Sequence, residues 1–367
     1  MNYHSYSMRN YNEISQLTSL NDIDKFAMQV VATVLPFKTN NYVVEQLIDW
    51  SNVPDDPIYT LNFPRKELLK DEHYARMESL FKSGADQNKI ASMVKKIRLE
   101  LNPHPACQKY NIPTVNGMTL DGVQHKYRET VLFFPSQGQT CHAYCTFCFR
   151  WPQFVGMKDL KFGMKEIDLL VQYLKEHREV TDILFTGGDP LVMKTKILSQ
   201  YIDKLLEEDL WNIQTIRIGT KAIGFWPYRF LTDNDADDLL RLFEKIINRK
   251  KNLAMMAHMN HPAELNTDAA VESIRKIRST GAQIRTQSPV LKHINDSPSI
   301  WAQLWRQQVN NNCIPYYMFI ARDTGAQHFF GISLVTAWKI FKEAYQSVSG
   351  VCRTVRGPSM SATPEVI

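Results

Sequence analysis

The hydrophobic rhythm of the chain changes once, near Thr130. Before that point apolar residues recur at helical spacing. Asn21 and Asp22 can cap a segment through Phe26, Met28, Val31 and Val34 that Pro36 stops. The same pattern predicts helices over Asn41–Trp50, Lys66–Lys82 and Asp86–Leu101, with a proline-punctuated loop at Val53–Pro64 and a break at Asn102-Pro103-His104-Pro105. From Thr130 on, short β-branched or aromatic runs alternate with amphipathic stretches of helix length. Strands are predicted at Thr130–Phe134, Asp182–Thr186, Thr215–Gly219, Leu253–His258, Gln283–Gln287 and Pro315–Ile320. Helices fit at Lys165–His177, Lys196–Glu208, Asp233–Arg249, Thr267–Thr280, Pro298–Asn311 and Leu334–Val348. Strict β-then-α alternation requires a parallel sheet with right-handed crossovers. Six such units suit a partial, open β/α barrel better than a closed eight-stranded one. The fold class is therefore α/β, with a mainly helical region over 1–124, the barrel over 125–352 and a tail over 353–367.

Composition narrows the classes. With 367 residues the chain can bury a substantial core, and 44% hydrophobic with 22% charged residues is ordinary for a globular protein. The formal charge of +5 is a weak bias toward acidic small molecules, and the basic residues are spread rather than clustered, which argues against nucleic acid. No apolar run approaches the ~20 residues that span a bilayer. Residues 1–21 show no basic-then-apolar signal, so a reducing cytoplasm is the expected location. Cys107, Cys313 and Cys352 stand singly and read as buried free thiols.

The other three cysteines differ. Cys141, Cys145 and Cys148 fall in Cys-His-Ala-Tyr-Cys-Thr-Phe-Cys, just after the first predicted strand, on the rim where β/α folds gather their chemistry. Three thiolates this close can wrap one corner of a 4Fe–4S cube and leave one iron open. A structural zinc completed by His142, or a disulfide with one spare thiol, are the plainer alternatives. After the second strand comes Thr186-Gly187-Gly188-Asp189-Pro190, either a tight turn or a loop whose backbone grips an amino acid head group. The third strand carries Arg217. The fourth ends in His258-Met259-Asn260-His261-Pro262, whose histidines are either a stacked loop pair or metal ligands. The fifth ends in Gln287-Ser288, followed by a loop with Asn295-Asp296.

The C-x3-C-x2-C spacing, with Phe147 before the last cysteine, resembles the signature loop of radical S-adenosylmethionine enzymes. The wider order, from His125-Lys126-Tyr127 through the cysteine loop, Phe149-Arg150, Gly-Gly-Asp, Arg-Ile-Gly, His-x-Asn-His-Pro, Gln-Ser, Asn-Asp and Pro315-Tyr316-Tyr317, is similar to the lysine 2,3-aminomutase family over roughly residues 122–352. The resemblance implies a cluster held by Cys141, Cys145 and Cys148, whose open iron chelates S-adenosylmethionine. Reductive cleavage then yields a 5′-deoxyadenosyl radical that abstracts hydrogen from an amino acid held as an imine of pyridoxal phosphate, and nitrogen migrates between adjacent carbons. It places Phe147, Gly187, Gly188, Asp189, Arg217 and Gln287 around S-adenosylmethionine, Arg150 on the substrate carboxylate, Asp296 on a lysine ammonium, and Lys126 and Tyr127 at the pyridoxal phosphate group. It also implies a reducing partner such as flavodoxin or ferredoxin, and a homo-oligomer.

The chain departs from that family at its end. Lys342, inside the last predicted helix, is its final lysine, so the Schiff-base lysine expected later, and the aspartate before it, are missing. Arg353 and Arg356 fall in that space, either as a phosphate or carboxylate site or as solvated charges. Without the lysine, pyridoxal phosphate loses its tether, so either the sequence is truncated or the protein has given up that cofactor. Two rivals follow: a pyridoxal-independent radical enzyme, and a non-catalytic protein that keeps the cluster for structure or redox sensing.

Overall fold

The computed structural model describes residues 1–103, 111–157 and 162–360. Cys107 lies outside them. An eight-stranded sheet organises the chain: β1 (Val123–Tyr127), β2 (Thr130–Phe133), β3 (Asp182–Phe185), β4 (Thr215–Thr220), β5 (Asn252–His258), β6 (Gln283–Val290), β7 (Ile314–Ile320) and β8 (Arg356–Ser359) lie side by side in chain order. All neighbours are parallel except β1, which pairs antiparallel with β2. The six predicted strands are β2 to β7, each within two or three residues of its expected bounds. The edges extend past the expected barrel limits, since β1 begins at Val123 and residues read as tail form β8.

The alternation of side chains decides which face meets the helices. Val131, Phe133, Ile183, Phe185, Ile216, Ile218, Leu253, Met255 and Ile284 pack outward into one core with the crossover helices. Those helices are Ile167–Glu176, Thr195–Leu205, Ala236–Asn248, Asp268–Ser279, Pro298–Asn310 and Leu334–Gln346. The intervening positions, among them Leu132, Leu184, Arg217, Met256, Arg285 and Gln287, line the concave face. The hydrogen-bonded ladder stays open, ending at β1 and β8.

The N-terminal region is more broken than its pattern implies. The helix expected over Asn41–Trp50 is a π-turn at Val43–Leu47 followed by a 3-10 turn, and the helix expected from Lys66 starts at Asp71. Conversely, the proline-rich loop contains a helix, Pro57–Asn62, because Asp56 caps it by accepting from the Tyr59 amide and Pro57 occupies its first turn, where no amide hydrogen is needed. A second core joins this region to Ala143, Trp151, Phe225, Trp226, Leu291 and Phe330 from the rim loops. The N-terminal region thus lies over the carboxyl ends of the strands and covers the cysteine loop. No described helix is long and apolar enough to cross a membrane.

Candidate active site on the barrel rim

The cysteine loop leaves β2 and is held from both sides. Backbone amides of Tyr144 and Thr146 donate to the carbonyls of Lys38 and Leu61, at 2.8 and 2.9 Å. Lys38 Nζ donates to the Cys141 carbonyl at 2.7 Å, and Asn40 Nδ2 and Tyr3 Oη donate to that of His142. Sequence reasoning found no chemistry in these N-terminal residues, because a lysine in a loop carries no local sign of its distant acceptor.

All three thiols are free and half-buried. Burial raises each thiol's pKa, to about 12 for Cys145, with mutual repulsion adding to Cys141 and Cys145, while Lys221 pulls Cys145 back down. His142 is buried with Nδ1 unpartnered, and burial drives its pKa down to about 3. Three free thiols on one loop, with raised pKa values, fit a cluster, which deprotonates them on binding.

Gly187 and Gly188 press against the base of that loop. A Cβ on Gly188 would collide with the Thr140 backbone, and Gly187, at φ +133, would run into the Gln139 side chain. Glycine is therefore required here for close approach of two backbones. Asp189 turns inward: its buried carboxylate accepts from Thr220 Oγ1 at 2.8 Å, the Lys221 amide at 2.9 Å and the Leu191 amide at 3.0 Å. Its role in this geometry is to lock the glycine loop to the end of β4. An acceptor that sequence reasoning missed lies alongside: Gln139 Oε1 is buried without a partner beside Gly187. That orphaned oxygen and the glycine backbone fit a methionyl ammonium.

Phe147 stacks on His258, centroids 5.9 Å apart, at the end of β5. Gln287 pairs in register with His258 on one side and Tyr317 on the other, level with the rim. His258 and His261 are kept neutral by burial, with pKa values lowered to about 3 and about 4. His261 caps its own turn by accepting from the Ala263 amide, a loop role rather than a metal one. Beneath them Lys221 Nζ donates to buried Glu264 at 2.6 Å and to Asn260 at 2.8 Å.

The structure does not gather every expected residue. Arg217 sits lower on the concave face, bidentate on Asp182 at the start of β3. Tyr127 pairs with Thr130 at the amino end of β2, with Lys126 over its ring at 5.5 Å, so both lie at the opposite end of the strand from the cysteines. Asp296 is exposed and accepts from the His293 amide in its own loop at 3.0 Å. Arg150 is buried, its guanidinium 4.5 Å from the Phe134 ring centroid and 5.0 Å from that of Phe149, with Nη1 unpartnered.

No family model matches the chain. A protein of Aquifex aeolicus, provisionally named an L-lysine 2,3-aminomutase, is 29% identical over 330 residues, which cover 90% of this chain and 76% of that one. The L-lysine 2,3-aminomutase of Methanococcus maripaludis is 25% identical over 89% of this chain and 67% of its own length. The chain is a relative of the lysine 2,3-aminomutases. This aminomutase relative also matches the Haemophilus influenzae enzyme of that name, at 28% identity over 64% of the chain and 65% of that protein. Among solved structures, a radical SAM methyltransferase from Sphaerobacter thermophilus aligns over 79% of this chain and 93% of its own, with 15% identity and a TM-score of 0.46.

Three described lysines are poorly placed to tether pyridoxal phosphate. The strand lysine is Lys126, on the edge strand β1. Lys221 is spent on Glu264, and Lys342 stands over the exposed Trp338 ring of the last helix.

Proposed function

We propose that this protein is a radical S-adenosylmethionine enzyme of the lysine 2,3-aminomutase type, acting on an amino-acid-like substrate. The observation that carries the reading is the placement of Cys141, Cys145 and Cys148 on one loop at the carboxyl rim of a six-unit parallel β/α sheet. When bound there, a 4Fe–4S cluster supplies the electron that cleaves S-adenosylmethionine and so generates the hydrogen-abstracting radical.

The chain's own residues prepare that chemistry. Lys38, Asn40 and Leu61 hold the loop backbone and, with the N-terminal core, keep water from it. Gln139 Oε1 and the Gly187–Gly188 backbone receive the methionyl ammonium. Phe147, against His258, offers an aromatic wall to the adenine. Arg150 Nη1 donates to the substrate carboxylate, since a buried guanidinium with a spare N–H favours an anion. The reaction is a 1,2-amino migration on the family reading. The lack of a tethering lysine on the described concave face favours a second reading, hydrogen abstraction without pyridoxal phosphate. Either reading calls for a low-potential electron donor such as flavodoxin or ferredoxin and a reducing compartment such as the cytoplasm, with a homo-oligomer as the assembly the family suggests.

Anaerobic reconstitution, dithionite reduction and chromatography for 5′-deoxyadenosine test the proposal, with Cys145→Ala as control. Production that Cys145→Ala abolishes supports it. A full cluster without cleavage leaves the structural or sensing protein. Borohydride trapping of pyridoxal phosphate on a lysine separates the two radical readings.

A further inference from the structure

Lys38 brings the cysteine loop a positive charge as well as a hydrogen bond. Its Nζ donates to the Cys141 carbonyl at 2.7 Å and stands 5.8 Å from the centroid of the Tyr144 ring on the same loop. A ring face attracts an ammonium at that range. The flanking residues Phe37 and Thr39 are buried, so the side chain leaves a firmly packed stretch of backbone, and it is itself half-buried. Among the described residues no carboxylate pairs with it: the charged group that acts on Lys38 is the Cys141 thiol. An ammonium partly removed from water and met by a carbonyl and a ring is under-compensated, and an anion on the loop offsets that cost.

Other cations of the rim differ. Lys221, which acts on Cys145, gives its charge to buried Glu264 at 2.6 Å. Arg150, which acts on Cys148, is the group proposed above for the substrate carboxylate. Cys141 has negative company in Asp189 and the other two thiols, and Lys38 opposes them. The charge of Lys38 is therefore cancelled neither by a described carboxylate nor by the substrate.

We infer that Lys38 is a positioning residue for electron entry: its ammonium, held against Cys141, raises the reduction potential of the cluster on this loop. The inference rests on the proposed function for the presence of that cluster. The step it biases moves one electron: a low-potential donor such as flavodoxin or ferredoxin is oxidised and the cluster is reduced, with no proton taken up. Reduction adds negative charge to a group already bound by thiolates, so a nearby cation stabilises the reduced form more than the oxidised one. Beneath the N-terminal region that attraction is screened less than it would be in open solvent. Lys38 touches neither substrate nor reacting atoms and acts through the charge of the cluster.

The test is an anaerobic potentiometric titration of the reconstituted full chain, followed by the paramagnetic resonance signal of the reduced cluster. Iron content and melting temperature are measured for every variant. Lys38→Met removes charge and bond, whereas Lys38→Gln keeps an N–H donor for the Cys141 carbonyl. Each is expected to shift the reduction equilibrium at least about tenfold toward the oxidised form, about 59 mV lower for one electron. Lys38→Arg keeps the charge and should stay close to the parent. An unchanged potential in Lys38→Met, a parent-like potential in Lys38→Gln, or a shift in Lys38→Arg as large as that in Lys38→Met overturns the inference. So does a Lys38→Met protein that folds but takes up no cluster, because the role is then assembly. The Gln and Arg variants decide the matter if Lys38→Met does not fold. 5′-Deoxyadenosine measured in the same samples keeps the two claims apart. Cleavage with a potential indifferent to residue 38 sinks the inference alone, and a Lys38-dependent potential without cleavage sinks the radical reading alone.

Discussion

The indole Nε1 of Trp151 donates a 3.0 Å hydrogen bond to Oγ1 of Thr324, joining the loop after β2 to the loop after β7. Both residues are buried, and Thr324 in turn reaches Asn102 Oδ1 at 3.0 Å in the N-terminal region. Gly325, at φ +62, packs directly on the Trp151 ring. Side chains thus bridge the rim of a sheet whose backbone ladder stays open, next to Phe149 and Arg150.

Removing that acceptor strands a buried donor. Thr324→Val is expected to cost about 1–3 kcal/mol in denaturant unfolding. Trp151→Phe added to it should cost less than the sum of the single changes, because the same bond is lost only once. Strict additivity would mean that the contact does not tie the loops together.

Lys38 bonds the Cys141 carbonyl from a site where burial lowers its own pKa. In Lys38→Met the charge-assisted bond goes, worth about 1.5–3 kcal/mol. We expect a lower melting temperature and faster loss of iron to a chelator after reconstitution. Iron retention equal to the parent protein would show that the loop holds its shape without Lys38.

The buried pair Lys221–Glu264 has side chains 11% and 0% exposed, so each needs the other. Glu264 also accepts from the amides of Asn260 at 2.7 Å and His261 at 3.1 Å, and Gly224 leaves room for its carboxylate. Glu264→Gln keeps the volume but leaves the ammonium unpaired, at about 3–5 kcal/mol. Lys221→Met in the same background should recover part of the loss, as read by urea midpoints at constant slope. A double variant no more stable than Glu264→Gln would refute the pairing argument.

Acid should weaken this rim. The folded pKa of His261 is about 4 and that of His258 about 3, both below the ordinary histidine value, with burial the main cause. Neutral histidine therefore contributes stability above about pH 6.5 that is lost as pH falls toward those folded values, at up to about 1.4 kcal/mol per pH unit for each group. His261→Asn retains a cap acceptor but does not titrate. Its unfolding free energy should fall less steeply between pH 7 and 4.5 than that of the parent, and parallel curves would contradict the assignment.

The sequence by itself determined the strand and helix alternation, because side chains that alternate across a strand or recur along a helix face write their burial into local periodicity. It also determined the three-thiol loop and its place after the first parallel strand, since ligand type and spacing are local. Charge partnership was not legible in the same way. Asp189 and Asp296 look alike in sequence, yet one is locked inward by β4 and the other is spent on its own exposed turn. Arg217 appears as a rim residue until Asp182, 35 positions earlier, claims it. Lys38 and Gln139 gained their meaning only when the N-terminal region closed over the sheet and the glycine loop met the cysteine loop. A side chain's hydrogen-bond partner and the dielectric around it depend on segments distant in the chain, and those distances exist only in the folded molecule.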